Sequence, residues 1–314
     1  MNYFVTGATG FIGKRLVAKL LARPEATVYF LTRAVEQSHL QDLYEYWGCE
    51  ASRAIPIVGD LTQAELGVSK ADIRKLKGKI EHFFHLAAIY DLKASAEDQQ
   101  RANVDGTRNT VRLAEEIGAG HFHLVSSIAS AGLFEGLFRE DMFDEAENLD
   151  NPYFRTKHDS EGIVRKECRI PWRIFRPAIV VGDSRTGEMD KIDGPYYFFK
   201  LIQKMRRMFP SWMPTIGIEG GRINVVPVDF VVAAMDHIAH LENEDGNCFH
   251  LTDPTPMRVG DLLNTFARAA HAPEMALRIN AALLGFIPRS MRKAMFALTP
   301  VRRIRNAVMK DLGL

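Results

Sequence analysis

The chain has 314 residues, 46% hydrophobic and 25% charged, a balance ordinary for a globular protein with a large core. A formal net charge of +1 leaves no electrostatic footprint for nucleic acid, no apolar run approaches a membrane span, and no basic-then-apolar leader is expected. Three widely spaced cysteines, Cys49, Cys168 and Cys248, fit neither a disulfide framework nor a zinc site, so a reducing cytoplasm is expected and no metal.

Strand-like and helix-like segments alternate through the N-terminal half, the pattern of a parallel sheet covered by helices. Strands are predicted over Asn2–Thr6, Thr27–Thr32, Ala54–Val58, Glu81–Leu86, His121–Val125 and Trp172–Phe175. The clearest helices fall at Ala102–Ile117 and Tyr153–Arg169. After Arg176-Pro177 the pattern turns irregular, and Tyr196–Met208 reads as a helix bearing aromatics. The expected fold is therefore α/β: a Rossmann-type doubly wound parallel sheet over residues 1–180, with a smaller C-terminal substrate lobe over 181–314.

The first strand runs into Thr6-Gly7-Ala8-Thr9-Gly10-Phe11-Ile12-Gly13, and an amphipathic helix follows. Gly7 permits the tight turn, Gly10 lets backbone approach a pyrophosphate, and Gly13 lets helix pack on strand. The helix start offers N–H groups and a positive dipole end to phosphates. Thr6, Gly7, Thr9, Gly10, Phe11, Ile12 and Gly13 are thus candidate cofactor contacts. After the second strand, where NAD enzymes place an acidic residue for the ribose hydroxyls, this chain has Arg33. A cation there suits a 2′-phosphate, hence NADPH; the alternative is a solvated arginine at a strand end.

Tyr153 and Lys157 stand four residues apart, one turn along one helix face. A phenol of pKa ~10 needs a nearby ammonium to work near neutrality. Ser126 and Ser127 end the fifth strand, at the edge where open α/β sheets bind ligands. Ser127 and Tyr153 can hold a carbonyl oxygen between two hydroxyls while hydride arrives from a nicotinamide.

In this order along the chain, Thr6–Gly13, Gly59-Asp60-Leu61-Thr62, His85-Leu86-Ala87-Ala88, Asn103–Thr107, Ser126-Ser127, Tyr153/Lys157 and Arg176-Pro177 resemble the extended short-chain dehydrogenase/reductase family. The resemblance implies that Ser127 and Tyr153 bind and protonate the carbonyl oxygen and that Lys157 holds the nicotinamide ribose and tunes Tyr153. It also implies that Asp60 and Leu61 lie by the adenine and Ala87 near the bridging phosphates and ribose, with Ala88 and Pro177 completing the cofactor set. Asn103 supports the sheet edge or a water chain, or else caps a helix. A closer resemblance runs through His85–Asp91, Phe138–Phe143, Tyr153–Glu161, Gly187–Asp190, Gly194–Lys200 and Asn224–Phe230. These are similar to the N-terminal domain of bacterial fatty acyl-CoA reductases of the Marinobacter type. That family reduces long-chain acyl-CoA to aldehyde and alcohol with NADPH, and the resemblance implies a second reductase domain in a longer protein.

Tyr196, Tyr197, Phe198 and Phe199 either line an acyl channel, with Leu283, Leu284, Phe286 and Ile287, or form simple core. From His271 onward eight cations face two anions, interleaved with apolar residues. This tail reads as amphipathic packing with a solvated face, or as a peripheral membrane or partner contact. Rival readings are a sugar-nucleotide epimerase or hydroxysteroid-type dehydrogenase on the same scaffold, and a catalytically silent NADP-sensing protein. Arg33 and the aromatic lobe argue against the epimerase, and intact Ser127, Tyr153 and Lys157 against the silent protein.

Overall fold

The computed structural model describes residues 1–33, 37–89, 94–190 and 194–280. The chain divides into two compact units. The first comprises Met1–Met189 and Val226–Thr252, and the second Asp190–Val225 and Asp253–Leu314.

In the first unit the elements run β1 (Asn2–Thr6), α1 (Phe11–Leu21), β2 (Thr27–Thr32), α2 (Gln37–Trp47), β3 (Ala54–Val58), α3 (Lys70–Leu76) and β4 (His82–His85). There follow α4 (Ala96–Gln99), a π-helical turn (Gln100–Asp105), α5 (Gly106–Glu116), β5 (His121–Val125), α6 (Pro152–Glu167), β6 (Trp172–Pro177) and β7 (Ile179–Val181). Six of these strands and a later one, β11 (Cys248–Leu251), form a seven-stranded sheet in the order β11-β6-β5-β4-β1-β2-β3. Every neighbouring pair in it is parallel. Strand order reverses between β1 and β4, the switch point at which such sheets open a crevice.

Both faces of the sheet are buried, so strand side chains alternate between two cores rather than between core and water. Tyr3 and Val5 of β1 join one core with Leu16, Val17 and Leu20 of α1. Phe4 joins the other with Val111, Leu113 and Ala114 of α5 and Ile163 of α6.

The single boundary expected at residue 181 is replaced by a return. After β10 (Val225–Pro227), α8 (Val228–Ala239) packs Val231, Val232 and Met235 into the first core, and β11 pairs with β6. The seventh strand thus comes from the region expected to be lobe. The second unit contains α7 (Phe199–Met208), β8 (Thr215–Glu219), β9 (Arg222–Ile223), β12 (Met257–Arg258), α9 (Val259–Ala269) and β13 (Met275–Asn280). Asn224 Nδ2 donates to Asp253 O at 2.8 Å and Asp253 N to Asn224 Oδ1 at 2.9 Å, clasping the strands where the chain leaves and re-enters this unit.

At the N-terminal end of the sheet, histidines gather. His82 Nδ1 and His123 Nε2 are 3.0 Å apart, His121 stacks on His82 at 5.1 Å, and the Tyr3 hydroxyl meets His240 Nε2 at 2.9 Å. Among the described residues no group of three His, Cys, Asp or Glu could hold a metal ion.

Candidate active site

The opposite, C-terminal end of the sheet is built around the glycine loop. Gly7 has φ of +73°, and a Cβ on it would lie 2.8 Å from Ala87 N. A Cβ on Gly13 would lie 2.0 Å from Gly7 O, so only glycine lets α1 sit this close to the loop. Gly10, at the N-cap of α1, brings no side-chain cap, and Gly10 N bonds Gly7 O at 3.0 Å. Thr9 and Gly10 are exposed, and Phe11 and Ile12 half-buried. A compact bare-backbone turn ahead of an uncapped helix start fits a pyrophosphate. Arg33 is exposed at the end of β2, and Asp60 follows β3. Hydrogen bonds from Thr62 N–H and hydroxyl hold the Asp60 carboxyl below its ordinary range, and the Arg33 charge adds to this. Leu61 is held through its carbonyl, which accepts from Asn109 Nδ2 at 3.1 Å.

Across the switch point His85 sits at the centre of a directional chain of hydrogen bonds. Thr107 donates its one proton to Asn103 O at 2.6 Å, so its oxygen accepts from His85 Nε2–H at 3.1 Å. The neutral ring then leaves Nδ1 bare. It accepts from the Thr6 hydroxyl at 2.7 Å, while Thr6 oxygen accepts from Ala87 N at 3.3 Å. This proton placement follows from counting donors. Burial, with the Lys157 charge adding to it, pushes the His85 imidazole down to about 3. The chain fixes the Ala87 amide against the glycine loop. Asn103 clamps the segment after β4, exchanging bonds with Ile89 at 2.7 and 2.8 Å and donating to Thr156 at 3.2 Å. It lies within the π-helical turn and supports the sheet edge instead of capping a helix.

Asn151 caps α6, accepting from Tyr153 N at 2.8 Å, and Pro152 opens the first turn, so Tyr153 is placed at the helix start. Tyr153 is half-buried, whereas Lys157, one turn on, is buried and donates to Val125 O at 3.4 Å. Burial pulls the Lys157 ammonium down to about 8, with Glu161 opposing. Ser127, two residues past the end of β5, caps the following 3-10 turn, its Oγ accepting from Ala129 N at 3.2 Å. That turn meets α6, since His158 Nδ1–H donates to Ser130 O at 3.2 Å. The structure therefore brings Ser127, Tyr153 and Lys157 to the same end of β5. A small cavity lined by His85, Ala87, Ala88, Asn103, Ser126 and Lys157 lies there.

Sequence reasoning missed what holds this arrangement. Arg176 in β6 and Glu161 in α6 are fully buried and paired at 2.7 Å, and Ser126 donates to Glu161 Oε1 at 2.6 Å. Arg176 also donates to Met142 O at 3.0 Å. Each member leaves a mark of its own, a charge in a strand that carries only one other, Arg173, and a carboxylate one turn beyond Lys157, but nothing local marks their pairing. Pro177, the buried last residue of β6, pairs in register with Leu251.

Tyr196, Phe198 and Phe199 lie in the second unit. Tyr196 and Phe199 ring against each other at 5.0 Å and both meet Phe266 of α9, and Phe198 packs on a small core of Ile202, Ala267 and Ala272. The Tyr197 side chain, Leu283, Leu284, Phe286, Ile287 and the basic tail beyond Asn280 lie outside the described residues. Burial pushes the thiols of Cys168 and Cys248 up to about 11 and 12, away from nucleophile chemistry.

A parallel sheet reversing at a glycine loop, with Tyr, Lys and Ser at its C-terminal end, defines an NAD(P)-binding oxidoreductase of the Rossmann class. The chain belongs to the NAD-binding family described as male sterility protein, which matches residues 5–235, within the extended short-chain dehydrogenase/reductases. It is 31% identical over 274 residues to a component of the linear gramicidin synthase of Brevibacillus parabrevis, covering 82% of this chain and 5% of that protein. It is 27% identical over 359 residues to CG8306 of Drosophila melanogaster, named for fatty acyl-CoA reduction, covering 91% of this chain and 69% of that one. The terminal R domain of the myxalamid PKS-NRPS pathway superposes with a TM-score of 0.75 at 26% identity, covering 98% of this chain and 77% of that one. The chain spans only 26% and 28% of two further relatives, both fungal peptide synthetases.

Proposed function

We propose that this chain is an NADPH-dependent reductase of long-chain acyl substrates, converting fatty acyl-CoA to aldehyde, aldehyde to alcohol, or both. The observation that carries the reading is the buried Lys157 ammonium, one turn from Tyr153 and donating to Val125 O at the end of β5. A reduced nicotinamide, when bound, supplies the hydride. Ser127 and Tyr153 hold the carbonyl oxygen, Tyr153 gives it a proton, and Lys157 stabilises the phenolate left behind. With a thioester, carbonyl carbon gains hydride and the hemithioacetal expels thiolate, leaving aldehyde. With aldehyde, the protonated product is the alcohol. Ser127 and Tyr153 serve both because each step needs an oxyanion held and a proton supplied.

NADPH is favoured by Arg33 at the place of the usual carboxylate, beside Asp60. The long-chain reading rests on the resemblance to fatty acyl-CoA reductases, the Drosophila relative and the aromatic residues of the second unit. The testing experiment offers this chain NADPH or NADH with aldehydes from butanal to hexadecanal and with the matching acyl-CoA esters. Each buried methylene contributes about 0.8 kcal/mol, roughly fourfold, so kcat/KM climbs with chain length as more of the acyl chain is buried. A flat profile defeats the long-chain reading, and equal rates with both cofactors defeat the NADPH reading.

A further inference from the structure

Helix α7 has one buried residue, Ile202, which packs into the small core shared with α9. Its cations Lys200, Lys204, Arg206 and Arg207 are all exposed. At 3.6 residues per turn, Lys200, Lys204 and Arg207 fall on one stripe opposite Ile202. No Asp or Glu occurs anywhere from residue 194 to 218, although the whole chain is balanced at 40 basic against 39 acidic residues. Two other arginines of this unit are paired with carboxylates. Arg268 pairs with Glu274 at 2.8 Å, and Arg278 reaches both Asp261 and Glu219. Among the described residues the four α7 cations form no ion pair.

From the last residue of the helix through the turn between Pro210 and Pro214 the chain exposes three large apolar side chains. Met208 is 60% exposed, Trp212 81% and Met213 37%. Burying none of these in the protein leaves an apolar tip at the end of a cationic stripe. Nucleic acid would use the charges and at most stack on the one indole, leaving two methionines in water. An acidic protein would answer the charges alone. A bilayer carrying anionic headgroups answers both, with phosphates for the stripe and the headgroup–acyl boundary for indole and thioethers.

We infer that α7 and the Met208–Met213 tip form a docking face for an anionic lipid surface. The inference does not depend on the substrate proposed above. The association inferred is peripheral; among the described residues no helix is long and apolar enough to cross a membrane. The test is co-sedimentation of the whole chain with phosphatidylcholine vesicles, with and without phosphatidylglycerol, while tryptophan emission is recorded. Binding should require the anionic lipid and weaken with added salt. The emission should shift to the blue, and Trp212→Ala should abolish the shift, since Trp47 is buried and Trp172 half-buried. Each basic residue at a lipid surface contributes about fivefold, so Lys200→Glu/Lys204→Glu/Arg207→Glu should lower partitioning on the order of a hundredfold. Turnover of a soluble short aldehyde, or the unfolding midpoint, should stay unchanged in that variant. Equal binding to neutral and anionic vesicles, or full binding by the triple variant, overturns the inference. So does capture of the protein by polyglutamate with no vesicle binding. If the triple variant does not fold, the salt dependence and Trp212→Ala still decide.

Discussion

The two ends of the seven-stranded sheet bury imidazoles in opposite ways. At the C-terminal end both ring nitrogens of His85 are engaged, by Thr6 and Thr107, in a chain whose direction is fixed throughout. At the N-terminal end His82 and His123 share one bond, and Nδ1 of His123 is buried with no partner among the described residues. Burial nevertheless drives proton affinity down in both places, to about 3 for His85 and His82 and well below the ordinary value for His123. A depressed imidazole is therefore no mark of function in this protein. What separates the ends is whether the surrounding donors and acceptors close into an arrangement that aims something at a ligand.

The largest effect that would sharpen this contrast is at Tyr153. Tyr153→Phe keeps the helix start and removes only the phenolic proton, and general acid catalysis contributes roughly two to four powers of ten. Steady-state rates should fall by that much while cofactor titration by fluorescence is unchanged. Near-normal turnover would move the chemistry elsewhere.

Next in size is Arg33→Ala. A hydrogen bond to a charged group contributes about 1.5–3 kcal/mol, so NADPH should bind ten- to a hundredfold more weakly and NADH almost as before. Equal weakening of both would make Arg33 a structural residue.

The smallest effects compare the imidazoles directly. A histidine depressed by folding leaves the unfolded chain holding more protons, so stability falls as pH drops from about 6.5 towards 3. The slope reaches about 1.4 kcal/mol per pH unit for each such group. His123→Phe should flatten the acid slope of urea midpoints and leave the cofactor KM alone. His85→Phe should flatten it similarly and also raise that KM by roughly tenfold, through two lost hydrogen bonds. Matching KM values in the two variants would erase the distinction between the ends.

Four strands (Asn2–Thr6, Thr27–Thr32, Ala54–Val58 and His121–Val125) are legible in the sequence to the residue, because each is an apolar run stopped by a turn. Periodicity also finds α6 and the Tyr153/Lys157 spacing. It does not find β11, four residues long and half-buried in its middle, whose place depends on pairing with β6. The expected helix from Ala102 starts inside a π-helical turn, where Asn103 reaches across to Ile89, a long-range contact that local pattern does not encode. The glycine loop is readable because its constraint is backbone geometry, which only one residue type satisfies. The Ser126–Glu161–Arg176 network is not, because its members become neighbours only after the sheet closes.

That buried pair has a consequence for how this chain can change over time. Glu161 and Arg176 are both fully buried. Removing Glu161 strands the guanidinium, and removing Arg176 leaves Glu161 only the longer ion contact to Arg165 at 3.8 Å, so breaking the pair costs about 3–5 kcal/mol. Domains are commonly stable by only about 5–15 kcal/mol, so a lineage passing through a single replacement would lose much of its folded population. Exchanging both at once for matched apolar side chains carries no such penalty. The two positions are thus locked to one another in sequence space. Each is nearly frozen alone, and together they are free to move only in a paired step that ordinary one-at-a-time mutation seldom takes.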